Sequence, residues 1–280
     1  MMEINYDPQY QYVNLDNGIR LSYVELGDKG GDTVVLIHGA TDSYLSFSQV
    51  ASVLQGKGYH VFIPELRGHG NSDKPEGELY AAELLAEDIA EWMNKAEIKL
   101  AHIVGHSLGS MVAQDMAIAH PELVSSLTLI GSAAKFAGNP TIQWLLEGDN
   151  EFPGIANLAE VPDDFIRDWT ASTNYDEEFV KRTYTNAANL PNFVWGSVFR
   201  GALTADNSET LVSVTVPVQI IWGTADNLFS KEDQLALIDA LGSGHIVFKP
   251  KPGIGHNTHW EGKLYAEIAD DIGSFIEGLN

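Results

Sequence analysis

The chain has 280 residues and a formal charge of −23, because 39 acidic side chains face only 16 lysines and arginines. This charge argues against nucleic-acid binding, which needs a basic face, and it disfavours anionic substrates and membrane surfaces at long range. The absence of cysteine excludes disulfides, thiolate catalysis and thiolate metal sites. We interpret the charge mainly as a source of solubility. Adaptation to salt or cold is the alternative, and composition does not separate the two.

The N-terminal sequence has no basic region followed by an apolar one, so we predict no secretory signal. No apolar run approaches the roughly 18–20 residues that are needed to cross a bilayer. We therefore expect a cytoplasmic protein without a membrane partner, either a monomer or a homodimer.

The first half of the chain alternates predicted strands and helices. A hairpin is predicted over residues 10–26 around an Asn-Gly turn, and apolar runs at 33–37 and 59–64 are typical of buried parallel strands. Apolar residues at helical spacing predict helices over 44–57 and 80–96. Residues 101–119 combine a strand with a helix, and another strand follows at 127–130. We count about five parallel-type strands in this half of the chain if the second hairpin strand joins them.

After Gly131 the pattern changes. The sequence from 133 to 212 contains no strand-like apolar run, but it has short helical patterns over 142–146, 163–169, 176–189 and 193–203. Strands at 218–222 and 245–248 and helices at 230–241 and 264–279 then follow. This order predicts an α/β fold with a mostly parallel, roughly eight-stranded sheet flanked by helices. We predict a core domain of residues 1–132 and 213–280, with a helical cap of residues 133–212 inserted after the sixth strand.

The chemistry is predicted to centre on Gly105-His106-Ser107-Leu108-Gly109, between the strand and the helix of residues 101–119. A G-x-S-x-G sequence in this context is typical of a nucleophile elbow, a turn so tight that its central residue is strained and its flanking glycines are required. Ser107 would then stand clear of the sheet at a helix N-terminus, which favours negative charge. A glycine-rich turn of another kind of α/β protein is the alternative interpretation.

A serine hydroxyl is a poor nucleophile unless a base takes its proton and an acid orients that base. Asp226 follows the strand at 218–222, and His256 follows the strand at 245–248. No carboxylate follows the strand at 127–130, where the acid could also lie, so Asp226 has no rival. We predict a triad of Ser107, Asp226 and His256.

An oxyanion hole is also required, and its donors should be backbone N–H groups. We assign them to Leu108, directly after the serine, and to Ala40, in the loop after the strand at 33–37.

Other histidines lie near these positions in the sequence. His259 could compete with His256 as the base, but His256 directly follows a glycine turn, and we expect His259 to cap or pack the last helix. His106 is predicted to be structural, and His38 and His69 to hydrogen-bond loops. We predict no metal site, because no carboxylate-rich shell accompanies these histidines.

Five stretches, residues 38–40, 67–72, 105–109, 223–226 and 255–261, together resemble the α/β-hydrolase superfamily over nearly the whole chain. The resemblance implies the triad above, a cap that shapes the substrate pocket, and no cofactor. Two positions depart from the family pattern: Glu65 stands where aspartate is usual, and Ser110 where a second glycine is frequent. Neither position belongs to the predicted triad.

The identity of the nucleophile narrows the activity that the resemblance implies. Family members that open epoxides or cleave carbon–halogen bonds have aspartate where Ser107 stands, and proline-type aminopeptidases usually have tryptophan where Leu108 stands. We expect hydrolysis of a small-molecule substrate, a neutral, fairly apolar carboxylic ester or lactone, through an acyl-enzyme. The alternatives are a cofactor-free carbon–carbon hydrolase or lyase, a perhydrolase, or a ligand receptor with vestigial turnover.

The cap is rich in aromatic residues, most of which we expect to pack between its helices. One or two of them should face the pocket, although the sequence does not indicate which. The candidate substrate contacts are Trp144, Trp169, Trp195 and Phe199.

Overall fold

The computed structural model describes residues 4–279, and within that range eight strands form one sheet. The strands are β1 (Gln11–Asn14), β2 (Arg20–Leu26), β3 (Thr33–Ile37), β4 (His60–Pro64), β5 (Ala101–His106), β6 (Val124–Ile130), β7 (Val218–Gly223) and β8 (Ile246–Lys251). Their spatial order is β1-β2-β4-β3-β5-β6-β7-β8, and all pairings from β4 to β8 are parallel. The predicted α/β fold with a mostly parallel sheet is confirmed.

The direction of β2 differs from the expectation. It pairs antiparallel with both β1 and β4, so it is not one of the parallel strands. The connection to β3 explains the difference, because a parallel crossover needs about a dozen or more residues and only residues 27–32 separate the two strands.

Helices cover both faces of the sheet. They are α1 (Tyr44–Gly56), α2 (Ala82–Lys95), α3 (Leu108–Ala119), α4 (Pro140–Glu147), α5 (Asp163–Trp169), α6 (Glu177–Ala188), α7 (Asn192–Ala202), α8 (Lys231–Ala240) and α9 (Leu264–Glu277). Alternate residues of β3 enter two separate apolar clusters, one with α2 and α3 and the other with α1 and α9. Over residues 4–279, no helix combines the length and apolarity that crossing a membrane requires.

Helices α4 to α7 lie between β6 and β7, so an insertion after the sixth strand is confirmed. We keep residues 133–212 as the predicted bounds of the cap. Its two ends run side by side where they leave the sheet: the N–H of Phe136 donates to the carbonyl oxygen of Ala205 at 2.9 Å, and that of Asn207 to Ala134 at 2.9 Å. We call these paired ends, residues 134–137 and 205–207, the neck.

Candidate active site

The turn between β5 and α3 has the backbone geometry expected of a nucleophile elbow. Ser107 has φ 51° and ψ −120°, a strained conformation that costs a non-glycine residue about 1–3 kcal/mol. A Cβ on Gly105 would lie 2.2 Å from the carbonyl oxygen of Gly109, and a Cβ on Gly109 would lie 2.2 Å from that of Ile37. Because both neighbours are backbone atoms, only glycine fits at either position. Ser107 lines a cavity of about 440 Å³.

The structure brings Asp226 and His256 together in the loops after β7 and β8. Oδ2 of Asp226 lies 2.9 Å from Nδ1 of His256. Oδ1 accepts the backbone N–H groups of Leu228 at 2.8 Å and Phe229 at 3.1 Å. The Asp226 side chain is fully buried, so these bonds fix its orientation. Since the carboxylate accepts, Nδ1 of His256 donates, and Nε2 is left as the acceptor.

Nε2 of His256 is buried, and no group among residues 4–279 hydrogen-bonds to it. Ser107 and His256 line the same cavity, but the hydrogen bonds of the described residues do not join them. The residue before the serine does contact that loop, because Nε2 of His106 lies 3.3 Å from the carbonyl oxygen of His256. Contacts between base and nucleophile are often long in a ligand-free site. Proton transfer from Ser107 to His256 stays a prediction.

The loop after β3 is held by two buried histidines. Nδ1–H of His38 donates to the carbonyl oxygen of Gly39 at 2.8 Å, and Nε2 accepts a backbone N–H at 3.0 Å. Nε2 of His69 accepts the N–H of Thr41 at 3.1 Å, while Nδ1–H donates to a backbone carbonyl at 3.0 Å. The prediction that both histidines hydrogen-bond loops is confirmed.

These bonds also orient the peptide between Gly39 and Ala40. The carbonyl oxygen of Gly39 accepts from the His38 ring and, at 3.4 Å, from the N–H of Asp42. No peptide of the described chain is cis, and in a trans peptide the N–H points opposite to the C=O, so the N–H of Ala40 faces away from those partners. Leu108 is the first residue of α3, where an N–H has no acceptor within the helix. Ala40 and Leu108 both line the cavity, and their joint role as an oxyanion hole stays a prediction.

Burial keeps the histidines around the elbow neutral. Loss of solvent lowers the pKa of His38 to about 4 and the pKa of His259 to about 3. It also holds the pKa of His69 and of His106 well below the usual value, and neighbouring histidines add to the effect. These rings therefore shape the site without adding positive charge.

His259, the possible rival of His256, packs beneath the elbow. The centroid of its ring lies 4.6 Å from that of Phe47 and 4.3 Å from that of His106. Neither of its ring nitrogens has a hydrogen-bond partner within residues 4–279, so no acid orients it. It does not cap α9, whose N-cap residue is Lys263. Without a carboxylate partner among residues 4–279, His259 lacks the orienting acid that the base of a triad needs.

The structure places three of the four candidate cap aromatics, Trp144, Trp169 and Phe199, in the lining of the cavity. Trp195 is the exception, because it is only 1% exposed and packs against the rings of Phe165, Trp169 and Phe199. It serves to hold α5 against α7 and does not line the cavity. Substrate contact stays a prediction for the other three.

Sequence reasoning missed several residues of the lining. They include the aromatic residues Phe136, Phe165 and Trp260 and the acidic residues Asp42, Asp168 and Glu261. Asp42 lies two residues after Ala40, in the same loop. Its proximity to a predicted oxyanion donor was the signal in the sequence that could have identified it as part of the lining. Burial raises the pKa of Asp42 to about 8, so this carboxyl is mostly protonated at neutral pH. Among the described residues, no lysine or arginine lines the cavity.

Comparisons with known proteins agree with this architecture. The family model described as "alpha/beta hydrolase fold" matches residues 32–263. The chain is 26% identical over 261 residues to the 2-hydroxy-6-oxononadienedioate/2-hydroxy-6-oxononatrienedioate hydrolase of Paraburkholderia xenovorans. This match covers 88% of this chain and 87% of that hydrolase. It is also 26% identical over 285 residues to lipase 3 of a Moraxella species, covering 98% of this chain and 86% of the lipase.

Among solved structures, the chain is similar to an esterase from Exiguobacterium antarcticum, with a TM-score of 0.83 and 17% identity over 96% of this chain and 100% of the esterase. At that identity the likeness concerns the fold alone. The family model, however, spans most of the sequence and includes the elbow and both loops that carry Asp226 and His256. The chain therefore belongs to the α/β-hydrolase fold family.

Proposed function

We propose that the protein is a serine hydrolase that cleaves a neutral, fairly apolar carboxylic ester or lactone through an acyl-enzyme. The observation that carries the proposal is a single cavity lined by both Ser107 and His256. Ser107 has a strained backbone, and the imidazole of His256 is already paired with the buried carboxylate of Asp226. That arrangement supports nucleophilic catalysis, because it supplies a nucleophile, a base with a free acceptor nitrogen and an acid that orients the base.

In the proposed reaction, Oγ of Ser107 attacks the carbonyl carbon and passes its proton to Nε2 of His256. Asp226 holds the imidazole in the tautomer that accepts this proton and stabilises the imidazolium that results. The N–H groups of Leu108 and Ala40 bind the oxyanion. His256 then gives the proton to the leaving alkoxide, and a water molecule, deprotonated by the same imidazole, hydrolyses the acyl-enzyme.

The electrostatics of the cavity support a neutral substrate. Three carboxyl groups, of Asp42, Asp168 and Glu261, line it, and no cationic side chain of the described residues does. A substrate carboxylate would therefore lose its hydration without gaining an ion pair. The formal charge of −23 adds long-range repulsion. The aromatic side chains of the lining, in contrast, favour an apolar acyl or alcohol group.

The relatives named for a dioate suggest a second candidate, hydrolysis of a carbon–carbon bond beside a carbonyl. The sequence match to that class extends over most of both chains, as given above. A dioate carries two carboxylates, however, and the lining offers them no lysine or arginine within the described range. We therefore place the ester or lactone reaction first.

The test compares purified protein with its Ser107→Ala variant on a neutral short-chain p-nitrophenyl ester, a neutral lactone and the dioate named for the relatives. We expect turnover of the ester or the lactone, loss of that turnover in the variant, and an unchanged thermal unfolding transition. A fluorophosphonate should label the protein stoichiometrically, and His256→Ala should abolish this labelling.

Full esterase activity in Ser107→Ala would refute the proposal. Turnover of the dioate at a kcat/KM above that of every neutral ester and lactone would establish the second candidate instead.

A further inference from the structure

Thr41, the residue after Ala40, lies in an unfavourable backbone conformation. Its φ is 63°, and a β-branched residue at positive φ is a genuine outlier. Such a conformation persists only where the surroundings impose it. Thr41 is also buried, with 1% of its surface exposed. Its hydrogen bonds therefore identify what holds this part of the loop in place.

Two of these bonds come from the core. The backbone N–H of Thr41 donates to Nε2 of His69 at 3.1 Å, and its hydroxyl donates to the carbonyl oxygen of Ala40 at 2.6 Å. Both bonds act on the peptide between Ala40 and Thr41, one at its oxygen and one at its nitrogen. They fix the plane of this peptide, which is joined directly to the Cα of Ala40.

The other two bonds come from the cap. The indole N–H of Trp169, at the end of α5, donates to the Thr41 hydroxyl at 2.8 Å. The amide of Asn186, in α6, donates to the Thr41 carbonyl oxygen at 3.2 Å. Two cap helices thus converge on one residue of the core loop, and all polar groups of that residue are hydrogen-bonded.

The same indole also meets the space where a substrate would bind. Trp169 lines the cavity, and its ring packs edge-to-face on Phe199, with 5.4 Å between their centroids. A displacement of α5 would therefore move a wall of the cavity. Through one hydrogen bond it would also move the Thr41 hydroxyl, which braces the peptide between Ala40 and Thr41.

We propose that Thr41 is a positioning residue through which the cap sets the orientation of the oxyanion donor Ala40. The inference rests on the proposed function, because it assigns a purpose to the Ala40 N–H. An interaction with the oxyanion exists only in the transition state, so loosening it lowers kcat and leaves KM nearly unchanged. A role in packing alone would not produce that split.

The test uses Thr41→Val, which removes the hydroxyl and keeps the shape, and Thr41→Ser, which keeps the hydroxyl. We expect Thr41→Val to lower kcat on the neutral ester about tenfold, less than the 10²–10³ that loss of a whole oxyanion donor costs. KM should stay within about twofold, and Thr41→Ser should retain most of the activity. Tyr6→Phe is the matched control, because Tyr6 also donates one hydrogen bond to the cap, to Asp176 at 2.8 Å, away from the loop. It should leave kcat within about twofold.

Trp169→Phe supplies a second route if Thr41→Val folds poorly. The two variants break the same hydrogen bond, so their losses of kcat should be less than additive in the double variant. Affinity for a trifluoromethyl ketone, which forms an oxyanion with the serine, should fall in parallel with kcat/KM in Thr41→Val. Affinity for the corresponding methyl ketone should not change.

Unchanged kcat in both single variants, additive losses in the double variant, or equal loss of affinity for the two ketones would each overturn the inference. If the unaltered protein neither hydrolyses the esters and lactones nor reacts with a fluorophosphonate, the proposed function itself fails. The two failures are therefore distinguishable.

Discussion

Replacing Asp226 with asparagine should reverse the hydrogen bond that orients His256. Oδ1 of Asp226 accepts the N–H groups of Leu228 and Phe229 at 2.8 and 3.1 Å, whereas Oδ2 lies 2.9 Å from Nδ1 of the imidazole. In Asp226→Asn, the amide oxygen must stay with the two backbone donors, because an NH₂ group there would face them donor to donor. The NH₂ group then points at Nδ1, which can only accept. The proton of the imidazole moves to Nε2.

An imidazole that carries its proton on Nε2 cannot remove the proton of Ser107. In a serine triad the wrong tautomer costs about 10⁴ in kcat, which corresponds to about 5.4 kcal/mol of transition-state stabilisation. The fold should survive, because asparagine has nearly the volume of aspartate and keeps both backbone hydrogen bonds. The predicted defect is therefore in chemistry, with little change in stability.

The assay is kcat and KM on a neutral p-nitrophenyl ester, together with the rate of fluorophosphonate labelling and the unfolding temperature. Asp233→Asn is the matched control, because Asp233 belongs to the capping box at the start of α8, outside the site. It should leave kcat within about twofold, although loss of a cap costs roughly 1 kcal/mol of stability. If Asp226→Asn keeps more than a tenth of the kcat, the orientation argument is wrong.

Three further predictions concern stability. The raised pKa of Asp42, about 8, means that the folded state holds this proton more tightly than the unfolded chain does between about pH 4 and pH 8. The stability of the protein should fall as pH rises through that window by at most about 1.4 kcal/mol per pH unit from this group, and Asp42→Asn should remove that slope in thermal unfolding. Gly105→Ala would place its Cβ 2.2 Å from a backbone oxygen and should destabilise by about 3 kcal/mol or more, whereas Gly244→Ala, which meets open space, should be nearly neutral in urea unfolding. Asp88→Asn removes the buried carboxylate that binds the almost fully buried guanidinium of Arg67 at 2.7 Å through two nitrogens. The partly exposed Glu78 is then the remaining counter-charge of Arg67. We expect a loss of about 3 kcal/mol in the free energy of unfolding, the lower end for a broken buried ion pair because Glu78 remains, and a loss below about 1 kcal/mol would contradict this account.

Local sequence patterns were sufficient to predict most strands and helices and the turn that carries Ser107. The apolar runs at 33–37 and 59–64 predicted buried strands, and G-x-S-x-G predicted the elbow. These features could be predicted because each is determined by residues that are adjacent in the sequence. The direction of β2 was not accessible in this way, since an alternating run reads the same in either direction. It followed from the length of the next loop, which sequence reasoning did not use.

The cap shows a second limit. The spacing of apolar residues correctly predicted its helices, but not which aromatic ring faces the cavity. That depends on how α5 and α7 pack together, and the packing turns Trp195 inward. The bond between Trp169 and Thr41 joins residues 128 positions apart. No periodicity within either segment indicates such a contact.

The neck has a practical consequence for protein engineering. Because Phe136 and Ala205 are joined by a backbone hydrogen bond, a tight turn can bridge them. The sheet would then keep its connectivity if the inserted segment were exchanged for another of different size. Such a chimera would inherit the nucleophile and its acid–base pair intact. It would lose the indole and amide that brace the loop after β3, so a transplanted cap would have to bring its own donors to that threonine.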